Sequence, residues 1–556
     1  MKLFTSIILA LGLSTNALGA LNNDELKVGI TQEFETLNPV IMSMAATTYI
    51  YQMVGRNLLT LDSNGKWVPQ LAKKIPYLEN GLAKFSSDKK KITATWEIKE
   101  EAKWGDGTPV TCADFAFTRE VALNENVSTP NREGYSVIEK IEWNEKTPKK
   151  CVFTYEKPRW DYYQLGYQPL PKHIEEPVYL ANKNIKEGYE KNSNYIKNPT
   201  NPGLYNGPYL ISEVKIASHV TVTPNKFFYG KQPKIKKITI KLIPNTGTLE
   251  ANLRSGTIDQ VSSLGFAFDQ ALAFDKKVKS ENLPYEVLFR PSVTYEHIDL
   301  NLENPILKDV RVRKALVSAI NREELVKALF ESKQQVAIHN VSPIDHWYTN
   351  DPKKITLYPY SKTEAAKLLD SAGWTMGKDG YRTKDGKKLS LVFMTTAGNK
   401  SRENVQVFLQ SQWKAVGIDV QIKNEPARVF FGETLKKRKF GAMAMFAWVS
   451  SPENSPKTNL HSKQIPSESN GWAGQNQTSY SNPKVDQLIE NLDIEFDAKK
   501  RKEIVSEILK YYTDEVPVIP LYYRADVAVR PKNLSNFKLT GTQFLETNEV
   551  ENWDIK

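Results

Sequence analysis

Residues 92–117 constrain the fold more than any other stretch. Ile92, Ala94, Trp96 and Ile98 fall on one face of an extended chain, with threonines and Glu97 on the other. That is the period-two pattern of a half-buried strand. The run continues into Trp104-Gly105-Asp106-Gly107-Thr108-Pro109, where Gly after Asp marks a tight turn. Thr111 is placed to cap a helix, Asp114 complements the helix N-terminus, and Phe115 and Phe117 follow. Strand, turn and capped helix in direct succession point to α/β layers.

The same grammar recurs along the chain. Residues 26–30 alternate as a strand, and further strands are predicted at 209–215, 218–223 and 235–243. Asp309 caps a helix carrying Val312, Ala315, Leu316, Ala319 and Ile320. Asn321 with Glu324, and Ser361 with Glu364, form capping-box patterns. The helix after Ser361 stops at Gly373, and one carrying Val405, Phe408, Leu409, Trp413 and Val416 stops at Gly417. A strand at 418–422 follows at once. Pro483 opens a further helix, Ile504–Tyr512 lies in another, and residues 517–523 form a strand. Residues 182–208 hold seven asparagines, three prolines and three glycines. That loop-rich composition suits a crossover between domains. No internal repeat is visible.

The N-terminus bears on location. Lys2 precedes an apolar run from Leu3 to Leu13, and small residues Ala17 and Gly19 follow. A basic start, a short apolar run and small residues make a secretory signal, with the cut expected after Gly19. No cysteine near the cut offers a lipid anchor. No later stretch reaches the roughly 20 apolar residues of a spanning helix. The mature chain is expected in a Gram-negative periplasm. At 556 residues it is long enough for two or three domains on a soft prior of about 150 residues each. Cys112 and Cys151 are its two cysteines. Export permits a bridge between them, and their spacing fits no metal or redox motif. Net charge is +11, or +10 without Lys2, and the lysines are scattered. The reading is a solvated basic surface, not a nucleic-acid site.

Catalytic patterns are missing. There is no nucleophile elbow, no Gly-rich phosphate loop ending in Lys-Ser/Thr, no His-Glu-x-x-His and no Cys-x-x-Cys. His173, His219, His297, His339, His346 and His461 are dispersed, with no pair at a helical ligand spacing. Acidic pairs such as Glu175-Glu176 sit at helix starts, where solvation or the helix dipole accounts for them. No metal or cofactor is expected, and the chain is not read as an enzyme. Its 11 Trp, 25 Tyr and 22 Phe are mostly core, yet Trp and Tyr also suit a ligand cleft.

Two signatures carry a resemblance. Residues 95–115, Thr-Trp-Glu-Ile-Lys-Glu-Glu-Ala-Lys-Trp-Gly-Asp-Gly-Thr-Pro-Val-Thr-Cys-Ala-Asp-Phe, form the first. Residues 309–322, with the Ser-Ala-Gly-Trp that ends at Trp374, form the second. Leu37-Asn38-Pro39, Asn206-Gly207-Pro208-Tyr209-Leu210, residues 254–259 and residues 480–489 fall in the same order. The chain resembles family 5 of the bacterial extracellular solute-binding proteins, the oligopeptide- and dipeptide-binding receptors of ABC importers. The resemblance implies an α/β, two-lobed periplasmic-binding-protein (Venus flytrap) fold with mixed sheets, an extra third domain and a ligand cleft between the lobes. Domain I would comprise 20–60, 200–290 and 520–556, domain II 61–199, and domain III 291–519. The protein would be a monomer that captures peptides and docks on an inner-membrane permease, spanning no membrane and binding no nucleic acid.

Site residues follow from the same resemblance. Ser43, Met44 and Ala45 align where backbone groups pair with an extended ligand, like an added strand. Trp448, Ser450, Ser451, Glu453 and Asn454 align with the opposite wall, and Asn476 lies in a polar stretch with Asn470, Gln475 and Gln477. These amides suit ligand carbonyls or hydroxyls, or order a long loop. The family places an aspartate after the tryptophan to anchor a peptide's ammonium group. Here Ser451 stands in that place, the nearest carboxylate is Glu453, and Met445 replaces an expected arginine. A buried ammonium requires a counter-charge. Either Glu453 supplies it, or the ligand is a non-peptide solute such as an oligosaccharide, an opine-like conjugate or a metal chelate. An envelope chaperone or a hydrolase on the same fold is the reading from a different class.

Overall fold

The computed structural model describes residues 24–556, except 33, 35, 43, 131, 165–167, 244, 427–428 and 471–473. The expected leader and Ser43 lie outside the described residues.

The chain opens with β1 (Glu25–Ile30) and α1 (Ala45–Val54). A separate antiparallel sheet follows, built from β2 (Ala83–Phe85), β3 (Ile92–Glu97), β4 (Ile138–Asn144) and β5 (Thr147–Tyr155), in the order β2-β3-β5-β4. β3 buries Ile92, Ala94 and Trp96, as its alternation requires. Between β3 and β4 runs α2 (Cys112–Leu123). Its cap is the expected one: the Thr111 amide donates to Asp114 Oδ2 at 2.8 Å. Cys112 on α2 and Cys151 on β5 form a disulfide that ties helix to sheet. The sequence separation of 39 residues corresponds to about 4 kcal/mol of stabilisation by loop-closure entropy.

The asparagine-rich stretch is more ordered than its composition suggests. It folds into short helical turns at Gly188–Asn192, Asn194–Lys197 and Pro202–Leu204. Ser193 and Asn201 cap two of them, accepting from the amides of Tyr195 and Gly203. Glu175 also departs from expectation. It is fully buried and accepts from Tyr189, Ser193 and the Asn194 amide at 2.7–3.0 Å. Asn38 of the Leu-Asn-Pro motif donates to the same tyrosine and serine. The pair of glutamates therefore divides, because three donors converge on Glu175.

The chain then returns to the β1 sheet through β6 (Tyr209–Lys215), β7 (His219–Pro224), β8 (Lys237–Leu242) and β9 (Gln260–Val261), followed by α3 (Phe268–Ser280). β10 (Tyr285–Leu300) carries it into the second half. There follow α4 (Val310–Ser318), α5 (Arg322–Phe330), β11 (Gln335–Val336), α6 (Lys362–Ser371) and β12 (Ser390–Met394). After these come α7 (Lys400–Lys414), β13 (Asp419–Ile422), β14 (Met443–Val449), α8 (Pro483–Ile494) and α9 (Ala498–Glu515). β15 (Val518–Pro531) leads back. The capping residues Asp309, Asn321 and Ser361 accept from the amides of Arg311, Glu324 and Glu364 as predicted. Gly373 and Gly417 close their helices in the left-handed region, at φ +85° and +84°.

Among the described residues the large sheet runs β13-β12-β14-β10-β15-β9-β1-β8-β7-β6, with β11 added on β15. β10 and β15 pair antiparallel from Tyr285↔Pro531 to Asp299↔Val518, so two long strands stitch the halves together. Their register breaks between Pro291 and Tyr295. Separate apolar cores lie to either side. One surrounds β1, α1 and the β2–β5 sheet; another lies under α4–α7 and β12. The strands β10 and β14 were not foreseen from the sequence. Residues 295–300 are buried on both faces, so no alternation marks them.

Candidate functional site

β14 ends in the loop that carries most of the predicted site. In the β10–β14 ladder Trp448 lies opposite Tyr295 and Phe446 opposite His297. The four rings form one aromatic face, with Trp448 against Phe446 at 5.4 Å and Tyr295 stacked on His297 at 4.6 Å. Trp448 remains half-buried at the open end of that face. A flat ring backed by other rings is a rigid packing platform.

Beyond Trp448 the chain turns sharply. Glu453 adopts φ +56°, the left-handed region, which costs a residue with a side chain about 1–2 kcal/mol. The turn is held by Asp345, whose Oδ2 accepts from the Glu453 amide at 2.9 Å and whose Oδ1 accepts from the Trp347 amide at 2.8 Å. Burial pushes the Asp345 carboxyl up to about 6, and the adjacent Glu453 charge adds to the shift. Ser450 caps its own turn, donating to the Ser451 carbonyl at 3.3 Å.

Ser451, Glu453 and Asn454 line one cavity of about 880 Å³. Its other wall is the segment from Glu156 to Gln164, which follows β5, and its floor includes Lys457, Glu490 and Asp493. The volume lies within the range of small-ligand clefts. Most of its charges are internally satisfied: Arg159 binds Asp161, Lys457 binds Asp493, and Lys463 binds Glu490. Glu453 differs. Its carboxylate has no salt bridge among the described residues and one long hydrogen bond, from Gln164 Nε2 at 3.4 Å. The two walls are clasped together beside the cavity. Trp160 packs on Trp347 at 5.6 Å and beneath the Arg501 guanidinium at 4.3 Å. Phe496 packs on Phe85 at 4.9 Å.

Met44, Ala45 and Asn476 lie elsewhere. Met44 is the N-cap of α1, its carbonyl accepting from the Thr48 amide at 3.0 Å, and Ala45 begins that helix, exposed. Neither lines the Glu453 cavity. Asn476 is fully buried and spends its amide inside its own loop, donating to the carbonyls of His461 and Tyr480 and accepting from Thr478 and the Tyr480 amide. It orders the loop and offers nothing to a cleft.

On the other face of β10 the residues alternate to Glu296. Its buried carboxylate accepts from Arg402 Nε at 2.5 Å and from Arg524 Nε and Nη2 at 2.8 and 2.6 Å. The two guanidinium charges hold Glu296 below the usual carboxylate range against the opposing effect of burial. Sequence reasoning missed this triad and Asp345. Arg524 is 228 residues from Glu296 and reaches it through the pairing of β10 with β15, while Arg402 comes from the first turn of α7.

The model of the bacterial extracellular solute-binding proteins, family 5 Middle, matches residues 66–468. The chain is 28% identical to the oligopeptide-binding protein AppA of Bacillus subtilis (strain 168), over 92% of this chain and 89% of that protein. Its fold matches an oligopeptide-binding protein from Thermus thermophilus complexed with a pentapeptide, with TM-score 0.71, 26% identity and 96% of each chain covered. It also matches the structure of Bacillus subtilis AppA in complex with a nonapeptide, with TM-score 0.70, 25% identity and coverage of 96% of this chain and 99% of that one. With the family model matched over most of its length, the chain belongs to the bacterial extracellular solute-binding proteins, family 5.

Proposed function

We propose that this protein is the exported, monomeric receptor of an ABC importer, that it captures peptides between its lobes and that it delivers them unaltered to an inner-membrane permease. The observation that carries the reading is Glu453. A carboxylate with no cationic partner among the described residues, held on a strained turn at the wall of a cleft, is a seat for an ammonium group. The similar Bacillus subtilis and Thermus thermophilus proteins are oligopeptide binders, which supports peptide as the ligand class. In this reading Glu453 replaces the aspartate that Ser451 displaces, Trp448 packs on the ligand, Ser450 and Asn454 flank it, and Ser43–Ala45 pair with its backbone.

The reading includes a cut after Gly19, release into the periplasm, and a division into 20–60 with 200–290 and 520–556, 61–199, and 291–519. The register break between Pro291 and Tyr295 supports a hinge at the crossing strands. Titration calorimetry with paired free and N-acetylated peptides tests the anchor. Free peptides are expected to bind about tenfold to a hundredfold more tightly, as for a charge-assisted hydrogen bond. Equal affinities would remove Glu453 from this role. Trp448→Ala with unchanged affinity would remove the platform. Release of cleaved peptide would make the protein a hydrolase instead.

A further inference from the structure

Trp160 and Tyr162 stand two residues apart in the segment after β5, and they are buried in opposite halves of the molecule. Tyr162 lies in the apolar core around the β2–β5 sheet, packs on Tyr155 at 6.0 Å and donates to the Pro76 carbonyl at 2.9 Å. Trp160 is 3% exposed and lies in another core. Every other buried member of that core, from Trp347 to Val518, comes from 291–519. One short segment therefore roots its tyrosine at home and inserts its tryptophan across the boundary.

The socket is built around the indole. Trp347 lies against it, its own amide fixed by Asp345, and the Arg501 guanidinium covers its face at 4.3 Å. Arg501 is 6% exposed and has no salt bridge among the described residues. Its Nη1 donates to the carbonyls of Glu495 and Phe496, which hold the charge over the ring. A cation on an aromatic face gains most where water is excluded. The Trp160 amide donates to the Asp493 carbonyl at 3.4 Å. That carbonyl belongs to the last turn of α8, where the helix supplies no donor of its own. Phe85, 38% exposed, adds a shallower contact on Phe496, which also packs against Tyr162 at 6.3 Å. Withdrawing Trp160 would wet the indole, uncover Arg501 and Trp347, and leave the Asp493 carbonyl unpaired. Trp160 borders the Glu453 cavity but is too covered to offer a solute much surface.

We propose that Trp160 is a built-in latch: seated in the 291–519 core, it holds the two walls of the Glu453 cavity together whether or not a solute lies between them. Opening then waits on withdrawal of the indole, and a solute enters during the openings that the latch permits. The inference goes beyond the peptide reading and is independent of what the solute is.

Small-angle scattering of solute-free protein tests the latch with no ligand present. Full-length chain is stripped by unfolding in guanidinium chloride without reductant and is then refolded. Wild type is expected to scatter as the compact, closed form. Trp160→Ala is expected to raise the open-to-closed ratio by about tenfold or more, because a buried tryptophan contributes roughly 150–250 Å² of contact, and to shift the radius of gyration upward. Trp160→Phe, which refills part of the socket, is expected to lie between the two. Solute-free wild type that scatters as an open form overturns the latch. A folded Trp160→Ala protein as compact as wild type overturns it as well. Hydrogen exchange decides the matter if Trp160→Ala does not fold. In solute-free wild type the Trp160 amide is expected to exchange about a hundredfold more slowly than an exposed loop amide, and Phe85→Ala, a change at a half-open position, is expected to speed it. Exchange at the rate of an exposed loop in wild type overturns the latch. Neither measurement contains a peptide, so failure of the latch and failure of the peptide reading are told apart.

Discussion

Glu296 and Glu453 lie on the same long β10–β14 unit or its exit loop, and they have opposite surroundings. Glu296 is fully buried and answered by two guanidinium groups. Glu453 is half-buried on a left-handed turn, answered by one amide at 3.4 Å. The first carboxylate is consumed by the fold, which sets Arg402 and Arg524 on either side of it. The second is left for something the chain does not contain.

The largest effect that sharpens this contrast is expected at Glu296. Glu296→Gln leaves Arg402 and Arg524 beside a neutral amide, and removing one partner of a buried charge cluster costs about 3–5 kcal/mol. Denaturant unfolding should show that loss. A loss below about 1 kcal/mol would mean that water screens the triad and that Glu296 is no more structural than Glu453.

Glu453→Gln should behave in the reverse manner. The side chain makes little use of its charge within the fold, so the unfolding free energy is expected to stay within about 0.5 kcal/mol of wild type. Peptide affinity is expected to fall by about tenfold to a hundredfold, and only for peptides with a free amino terminus. A variant that lost stability but kept affinity would invert the comparison.

The two carboxylates also differ in how legible they were. Glu453 was picked out because it stands close to Trp448 in the chain, where a family pattern can be read residue by residue. Residues 92–117 were legible for a similar reason: alternation, Asp-Gly turn and Thr cap are all local, and the structure reproduces them. So were the capped helices α4, α5 and α6. Glu296 was invisible. It lies in a strand buried on both faces, where period-two alternation disappears, and both its partners are supplied from distant parts of the chain. Asp345 escaped notice because its role is to hold the Glu453 amide, a contact between loops that no spacing encodes. Asn476 misled in the opposite direction. Its amide chemistry suits a ligand, but the loop around it uses every bond it can make.

Asp526 provides the smallest test, and it probes the surroundings of the Glu296 triad through pH. Its carboxyl is raised to about 7 by burial and by Glu546, above the roughly 3.9 of an unfolded aspartate. The native state therefore holds a proton that the unfolded chain releases, between about pH 4 and pH 7. The stabilising contribution is fully present below the unfolded value and is lost as pH rises through the folded one. Asp526→Asn removes the titration, so its stability should change less than that of wild type between about pH 5 and pH 8, with the two curves separating as pH rises. Because Asp526 borders a water-accessible cavity, the expected difference is about 1 kcal/mol rather than the full linkage value. Thermal unfolding across that range reads it directly. Parallel curves would mean that Asp526 is already ionised at neutrality. In that case Asp526 would share with Glu296 in answering the Arg524 charge, and Glu453 would stand out further as the carboxylate that the fold does not use.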